Sequence, residues 1–286
     1  MAEAPPVVLT IAGFDPCSGA GITADIKTIA AHGCYGVSCV TALTVQSTSG
    51  VVRVDPVSPT LVSATLNELA ADMEIAAIRI GMLASGAVAR VVADFLASTS
   101  AANVVLDPIL KSSSGAELID TQGLKVLRER LIPLATVVTP NMDEAATLAG
   151  ISVKNPDQMK LAAKHLHDMG APNVVVTGGE LEKATEFLSF TNPRGVREEQ
   201  WFRAERLRST STHGTGCAFA TALACHLALG RAIPEAVLLA KAYVAAAIAN
   251  AHPLGRGIGP VHHLYRMQQR PRPSAVHDPE TVSEGR

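Results

Sequence analysis

The segment Ser211–Ala224, STHGTGCAFATALA, runs a glycine-rich turn straight into an apolar helix and sets a thiol, Cys217, at the junction. In Thr212-His-Gly-Thr-Gly-Cys217 the small residues let successive backbone N–H groups converge. A helix beginning near Gly216 directs its positive end at the same point. Gly214, Gly216 and Cys217 therefore read as an anion hole, and a thiol in that field has a lowered pKa and is partly thiolate near neutrality. Two other readings stand beside this one. Cys217 can be a small buried hydrophobe, or the nucleophile of a hydrolase with His213 nearby, although the chain has no G-x-C-x-G elbow.

Near the N-terminus, Gly13-Phe-Asp-Pro-Cys-Ser-Gly-Ala-Gly21 follows a strand-like run and opens a helical one. Gly19–Ala24 fits G-x-G-x-x-A, but no acid ends the next strand, so a dinucleotide site is a poor fit, and a ligand-binding loop and a plain tight βα turn stand as equal readings. No Walker P-loop occurs. Asp25 either complements the dipole of that helix or accepts from a ligand hydroxyl. Gln46 and Met82 both follow apolar strands, where open α/β sheets place ligands; a loop polar residue and a core methionine are their plain alternatives. Asp107 follows Val104–Leu106, and Asn141 and Glu144 follow the next strand. These groups can hold Mg²⁺ through water, while Asn141 and Glu144 alone also spell a capping box.

The elements that must carry these residues alternate. Strand-like runs Val7–Ala12, Gly36–Leu43, Ile78–Ile80, Asn103–Leu106, Thr136–Thr139 and Asn173–Thr177 are interleaved with helical patterns Gly21–Ala31, Pro59–Ala71, Gly86–Ala97, Thr121–Arg130, Met142–Leu148 and Pro156–Met169. This predicts an α/β fold with a mostly parallel central sheet covered on both faces. Glu186–Thr191 and Arg197–Phe202 flank Asn-Pro-Arg-Gly as a hairpin, and two alanine-rich helices follow. We read one domain over residues 5–267 and a proline-rich, charged tail over 268–286 without apolar periodicity, expected to be disordered.

The chain has 286 residues, 48% of them hydrophobic, enough for a sizeable core. A net charge of -2 and the lack of basic or aromatic-basic runs argue against a nucleic-acid partner and leave a small molecule as the ligand class. The opening MAEAPPVVLTIAG reads as a first strand, not a signal peptide, and charged residues interrupt the apolar stretch 232–251, so no membrane span is expected. Cys17, Cys34, Cys39, Cys217 and Cys225 form neither a disulfide framework nor a zinc spacing, which suits a reducing cytoplasm. The His262-His263 pair has no cysteine or acid spaced to complete a metal site and reads as surface or packing.

Taken together, LTIAGFDPCSGAGITADIKT, VTALTVQSTSGV, IRIGMLAS, VVLDPIL, VVTPNMDEA, VVVTGGE, STHGTGCAFATALA and GRGIGPVHH run in order from Leu9 to His263. In this the chain resembles the hydroxymethylpyrimidine and phosphomethylpyrimidine kinases of thiamine biosynthesis, a branch of the ribokinase-like fold. The resemblance implies a three-layer fold, ATP with Mg²⁺, and phosphoryl transfer to a primary hydroxyl and then to the resulting monophosphate. It assigns Asp25, Gln46, Gly13 and Met82 to the pyrimidine, and Asp107, Asn141, Glu144 and Thr177 to the nucleotide phosphates, with Asp107 and Glu144 at the metal. Gly214, Gly216 and Cys217 fall at the phosphoryl anion hole. Much of the wider ribokinase-like group has an aspartate base at the position of Cys217, so the thiol is expected to cap the hole and help to deprotonate the hydroxyl. The family suggests a homodimer.

The chain departs from the family pattern in three places. Thr177 and Ser113 stand where lysines are common, with Lys111 two residues before Ser113, and Phe14 replaces a small polar residue. The missing lysines keep in view a pyrimidine-binding protein that has lost transfer, and the shared fold and HGTGC-like loop keep in view a pyridoxal, pyridoxine or pyridoxamine kinase.

Overall fold

Val8, Leu9 and Ile11 have almost no exposed surface, yet they point to opposite faces of one strand, and both faces are covered. A continuous apolar run of this kind is what a buried parallel strand requires. In a computed structural model that describes residues 4–99, 103–112 and 114–269, nine strands form one sheet in the order β3-β2-β1-β4-β5-β6-β7-β8-β9. They are β1 (Val7–Phe14), β2 (Tyr35–Ser47), β3 (Gly50–Pro56), β4 (Ile75–Ile80), β5 (Val104–Leu106), β6 (Val137–Val138), β7 (Val174–Gly178), β8 (Lys183–Thr191) and β9 (Arg197–Glu205). Strands β2, β1, β4, β5, β6 and β7 run parallel; β3, β8 and β9 are antiparallel additions at the two edges.

Helices α2 (Pro59–Asp72), α3 (Gly86–Ser98), α4 (Thr121–Val126), α5 (Ile132–Leu134), α6 (Met142–Ala149) and α7 (Pro156–Asp168) enclose the core that contains Leu9, Ile78, Leu106 and Val176. Helices α1 (Gly21–Ala31), α8 (Thr215–Ala228) and α9 (Ile233–Ala249) cover the other face, over Val8, Ala77, Val105 and Val175. The sheet between these two helical layers gives the three-layer α/β architecture expected from the sequence. Local chemistry sets the helix starts. The side chains of Ser58, Ser85, Asp120 and Asn155 each accept from a backbone N–H of the first turn, and Pro59 and Pro156 occupy positions where a missing N–H costs nothing. Helix α8 is buried on every side from Cys217 to Leu227, which explains an alanine-rich sequence with little amphipathic pattern.

The structure differs from the sequence reading in two local respects. Ser47-Thr-Ser-Gly50, read as a polar loop after a strand ending at Leu43, is the turn of a hairpin; β2 continues to Ser47 and returns as β3. Backbone pairing holds this ribbon, while Leu43, Val45 and Val52 remain exposed, so burial leaves no clear periodic signal. The helix expected to end at Arg130 instead continues through a π-helical turn, Leu127–Leu131, into α5. Apart from residues 268 and 269, the tail expected over 268–286 lies outside the described residues. No helix among the described residues is long and apolar enough to cross a membrane.

Leu223 on α8 is wholly buried between the sheet and α9. Leu223→Ala is expected to lower unfolding stability by about 2–5 kcal/mol, read from the urea midpoint at unchanged denaturant slope.

Candidate active site

Arg79 is a charged residue in the middle of an otherwise apolar parallel strand, with no exposed surface. Such a group persists only if its charge and donors are met. Its Nη1 donates to Asp25 Oδ2 at 2.9 Å and its Nη2 to Asp107 Oδ2 at 2.7 Å, and its guanidinium also reaches the Cys217 sulfur. Asp25 is completed by Thr10 Oγ1 at 2.6 Å and Thr221 Oγ1 at 2.7 Å. A Cβ on Gly81 would lie 2.1 Å from Arg79 Nη1, so the glycine two residues on gives the side chain room to curl back along its own strand. One buried cation thus joins β1, α1, β4, the end of β5 and α8.

Asp25, expected at the pyrimidine, is engaged in this structure by protein groups. Its carboxylate is wholly enclosed and engaged by Arg79 and two threonines, so it acts through Arg79. Burial raises its pKa, against the opposing charge of Arg79.

The first glycine loop is organised by Asp15. Its Oδ1 accepts from the Cys17 N–H at 2.9 Å, and its Oδ2 from Gly19 N at 3.1 Å and Ala20 N at 2.9 Å. These bonds hold Ser18 in the left-handed region at φ 61°, and Lys27 Nζ donates to the Ser18 carbonyl at 2.9 Å. His213 Nε2 donates to Asp15 Oδ2 at 2.9 Å, tying this loop to the one before α8. Burial would raise the Asp15 carboxyl, but the hydrogen bonds from His213, Cys17 and Ala20 hold it down at about 2. Gln46 lies beside this pair, its side-chain amide accepting from Thr44 Oγ1 at 3.2 Å and standing 3.3 Å from His213 Nε2. A cavity of about 120 Å³ opens here, lined by Gln46, Ser112, Ser114, His213 and Ile258 among others. A larger groove of about 500 Å³ lies between α7 and the β8–β9 hairpin, away from the strand-end acids. Met82 packs over Gly13, whose absent Cβ would sit 2.3 Å from the Met82 methyl.

Gly214 caps α8 at φ 83°, and a Cβ there would fall 1.8 Å from the Gly19 carbonyl, so the two glycine loops touch backbone to backbone. The N–H groups of Gly216 and Cys217 have no backbone acceptor among the described residues and face the end of α8 that favours anions. The expectation of a partly ionised thiol is corrected. Burial pushes Cys217 up to about 11, with Arg79 opposing and Asp107 and Asp25 adding to the rise. Lowering a thiol pKa requires the helix end to outweigh desolvation, and beside two carboxylates it does not.

Asn141 and Glu144 form the full capping box at the start of α6, with Glu144 N donating to Asn141 Oδ1 and Asn141 N to Glu144 Oε2, both at 2.9 Å. Glu144 is nevertheless buried close enough to Asp107 for each charge to matter. Burial and the Asp107 charge push Glu144 up to about 8; burial brings Asp107 to about 6, with Arg79 opposing and Asp25 adding. Burial raises both carboxyls, and a divalent cation between them would favour their ionised forms, so Asp107 and Glu144 fit Mg²⁺. Thr177 is brought to the same edge, its N–H donating to Pro140 O at 2.9 Å in a bridge with Asn141. Ser113 lies outside the described residues, and Lys111 is exposed, paired through the backbone with Glu117.

Gly13, Gln46, Met82, Asp107, Asn141, Glu144, Thr177, Gly214, Gly216 and Cys217 thus lie at the ends of the parallel strands or the start of α8. Sequence reasoning missed Arg79, Asp15 and the bond that joins His213 to Asp15. The available signal for Arg79 was a lone charge inside Ile78-Arg-Ile80, a strand with no room for one unless it is paired. His263 is buried, donates to Gly19 O at 3.1 Å and is pushed down to about 4 by that burial, as a packing residue.

Arg79→Met leaves Asp25 and Asp107 facing one another without their cation. We expect a loss of about 3–5 kcal/mol in urea unfolding, because an uncompensated buried charge costs more than the missing contact.

Over residues 15–262 the chain matches the family described as phosphomethylpyrimidine kinase. It is 42% identical over 260 residues to the hydroxymethylpyrimidine/phosphomethylpyrimidine kinase of Streptomyces coelicolor, covering 91% of this chain and 94% of that protein. It is also 42% identical over 257 residues to a thiamine biosynthesis bifunctional protein of Geobacter sulfurreducens, 90% of this chain but only 52% of that longer protein. The pyridoxal kinase of Bacillus subtilis, solved as an ADP complex, is similar with a TM-score of 0.83 at 32% identity, over 93% of this chain and 100% of that one. With strand-end acids, a glycine-turned helix start and a match of this extent, the chain belongs to the phosphomethylpyrimidine kinase family.

Proposed function

We propose that the protein transfers the γ-phosphoryl group of ATP to the hydroxymethyl group of hydroxymethylpyrimidine, and then a second phosphoryl group to the monophosphate so formed, in thiamine biosynthesis. The observation that carries this reading is the start of α8, where the N–H groups of Gly216 and Cys217 have no backbone acceptor among the described residues, at the same sheet edge as Asp107 and Glu144. Phosphoryl transfer depends chiefly on placing charge opposite the transferring group. The N–H groups of Gly216 and Cys217 stabilise its oxygens, while Asn141 and Thr177 position the nucleotide phosphates. Asp107 and Glu144 would hold Mg²⁺, which when bound supplies positive charge to the phosphates. Gln46, Met82 and the Gly13 backbone receive the pyrimidine ring.

A bond forms between the substrate oxygen and the γ-phosphorus as the bond to the bridging oxygen breaks, and ADP departs with that electron pair. In the second transfer the acceptor is a phosphate oxygen that is already ionised, so no base is needed. In the first, the hydroxyl proton leaves late, onto the transferred phosphoryl oxygen, which a neutral Cys217 tolerates. Five free cysteines suit work in the cytoplasm. Leu43, Val45 and Val52, exposed on the β2–β3 ribbon, offer a surface for a homodimer.

The likeness to a pyridoxal kinase keeps pyridoxal as a second acceptor. Purified protein with Mg-ATP and, separately, hydroxymethylpyrimidine, its monophosphate and pyridoxal is expected to add phosphate to both pyrimidines by mass spectrometry. Phosphate on pyridoxal alone would reassign the substrate. Cys217→Ser is expected to keep turnover within about tenfold of the parent, whereas the loss of an obligatory general base costs about 10²–10⁴-fold.

Between the ordinary carboxylate range and their raised values of about 6 and 8, Asp107 and Glu144 keep protons that the unfolded chain has released. Their contribution to stability is therefore full at low pH and falls as pH rises to about 8. Without metal, the melting temperature is expected to drop across this window, and less so in Glu144→Gln. Mg²⁺ should raise it more at pH 8 than at pH 5, because the ion needs both groups ionised.

A further inference from the structure

We infer that Asp15, Cys17 and His213 form a second metal site, for a soft divalent cation of the Zn²⁺ class, whose occupation locks the loop after β1 to the loop before α8 and inhibits turnover. One ligand atom from each residue lies within 4.8 Å of the other two. Sequence spacing excludes zinc on the usual motifs, but 198 residues separate Asp15 from His213, and only the fold brings them to a 2.9 Å contact. This site is separate from the carboxylates Asp107 and Glu144 and takes a different class of ion. A thiol, an imidazole and a carboxylate suit Zn²⁺ or Co²⁺, whereas Mg²⁺ prefers oxygen donors and retains its water.

The triad is built to receive an ion. His213 Nε2 donates to the Asp15 carboxylate and the Cys17 sulfur lies within 4.8 Å of both, so one cation could bridge the three groups in place of that proton. Asp15 is also held by three backbone N–H groups, which fix its orientation as supporting bonds do for metal-ligating carboxylates. On binding, the thiol proton is released to solvent and the imidazole proton moves to Nδ1, leaving sulfur and Nε2 as ligands. The charges of Asp15 and the thiolate balance the ion, and Lys27, bonded to Ser18 O, remains the neighbouring cation. Three protein ligands leave a fourth position for water.

An ion here ties His213 to the loop of residues 13–20 and away from Gln46, which it now faces at 3.3 Å across the cavity mouth. Inhibition follows if this mouth admits the substrate, so that half of the inference rests on the proposed kinase reading. Metal binding itself does not.

The test is Co²⁺ titration followed by absorption, alongside Zn²⁺ titration of ATP turnover at saturating Mg²⁺. A thiolate-to-Co²⁺ charge-transfer band is expected in the parent, absent in Cys17→Ser and retained in Cys217→Ser. Zn²⁺ should inhibit the parent reversibly to chelator, and Cys17→Ser, with normal Mg-ATP turnover, should need at least about tenfold more Zn²⁺. No band in the parent, or a band that survives Cys17→Ser, overturns the site, whether or not the protein is active on any pyrimidine. A band lost in Cys17→Ser with Zn²⁺ sensitivity unchanged overturns the inhibitory role alone.

Discussion

The whole site rests on compensating one buried charge. Arg79 has no contact with water, and its two carboxylate partners come from a helix and from the end of a neighbouring strand. Buried charges of this kind add little net stability, but removing a partner is costly, so the arrangement fixes geometry more than it adds energy. Through Asp107 it sets the carboxyl next to Glu144, and through Thr221 on Asp25 it registers α8 against the sheet. Helix α8 is therefore anchored to β4, the neighbour of the strand whose end carries Asp107.

Glycine geometry provides the second constraint. The contact between Gly19 and Gly214 is a backbone approach that a Cβ on Gly214 would block, and the Met82 methyl packs into the space that the absent Cβ of Gly13 leaves. Asp15 converts that approach into a fixed loop by taking three backbone N–H groups and the His213 ring. The loop after β1 and the loop before α8 thus meet directly.

Desolvation decides the chemistry of the acidic and thiol groups. The same helix start that would favour a thiolate in water is buried beside Asp25 and Asp107, and Cys217 remains a thiol. Asp107 and Glu144 are raised for the same reason, which makes them receptive to a cation. Helix α6 could be read in two ways from its sequence, as cap or as metal ligand. The capping box is formed, and the neighbourhood of Asp107 leaves Glu144 fitted for both roles.

The sequence alone determined the alternation of strands and helices, the parallel sheet, the cap residues and the strand-end positions of Gln46, Met82, Asp107 and Glu144. These follow from periodicity and from local side-chain bonds, which act over a few residues. It left the β2–β3 hairpin unread because that ribbon is held by backbone pairing, without a buried face to impose alternation. Only the tertiary structure decided that Asp25 pairs with Arg79, that Cys217 stays protonated, and that Asp15 meets His213. Each of these depends on which groups lose water together and what charge they then face, and that is set by contacts between residues 54, 28 and 198 positions apart.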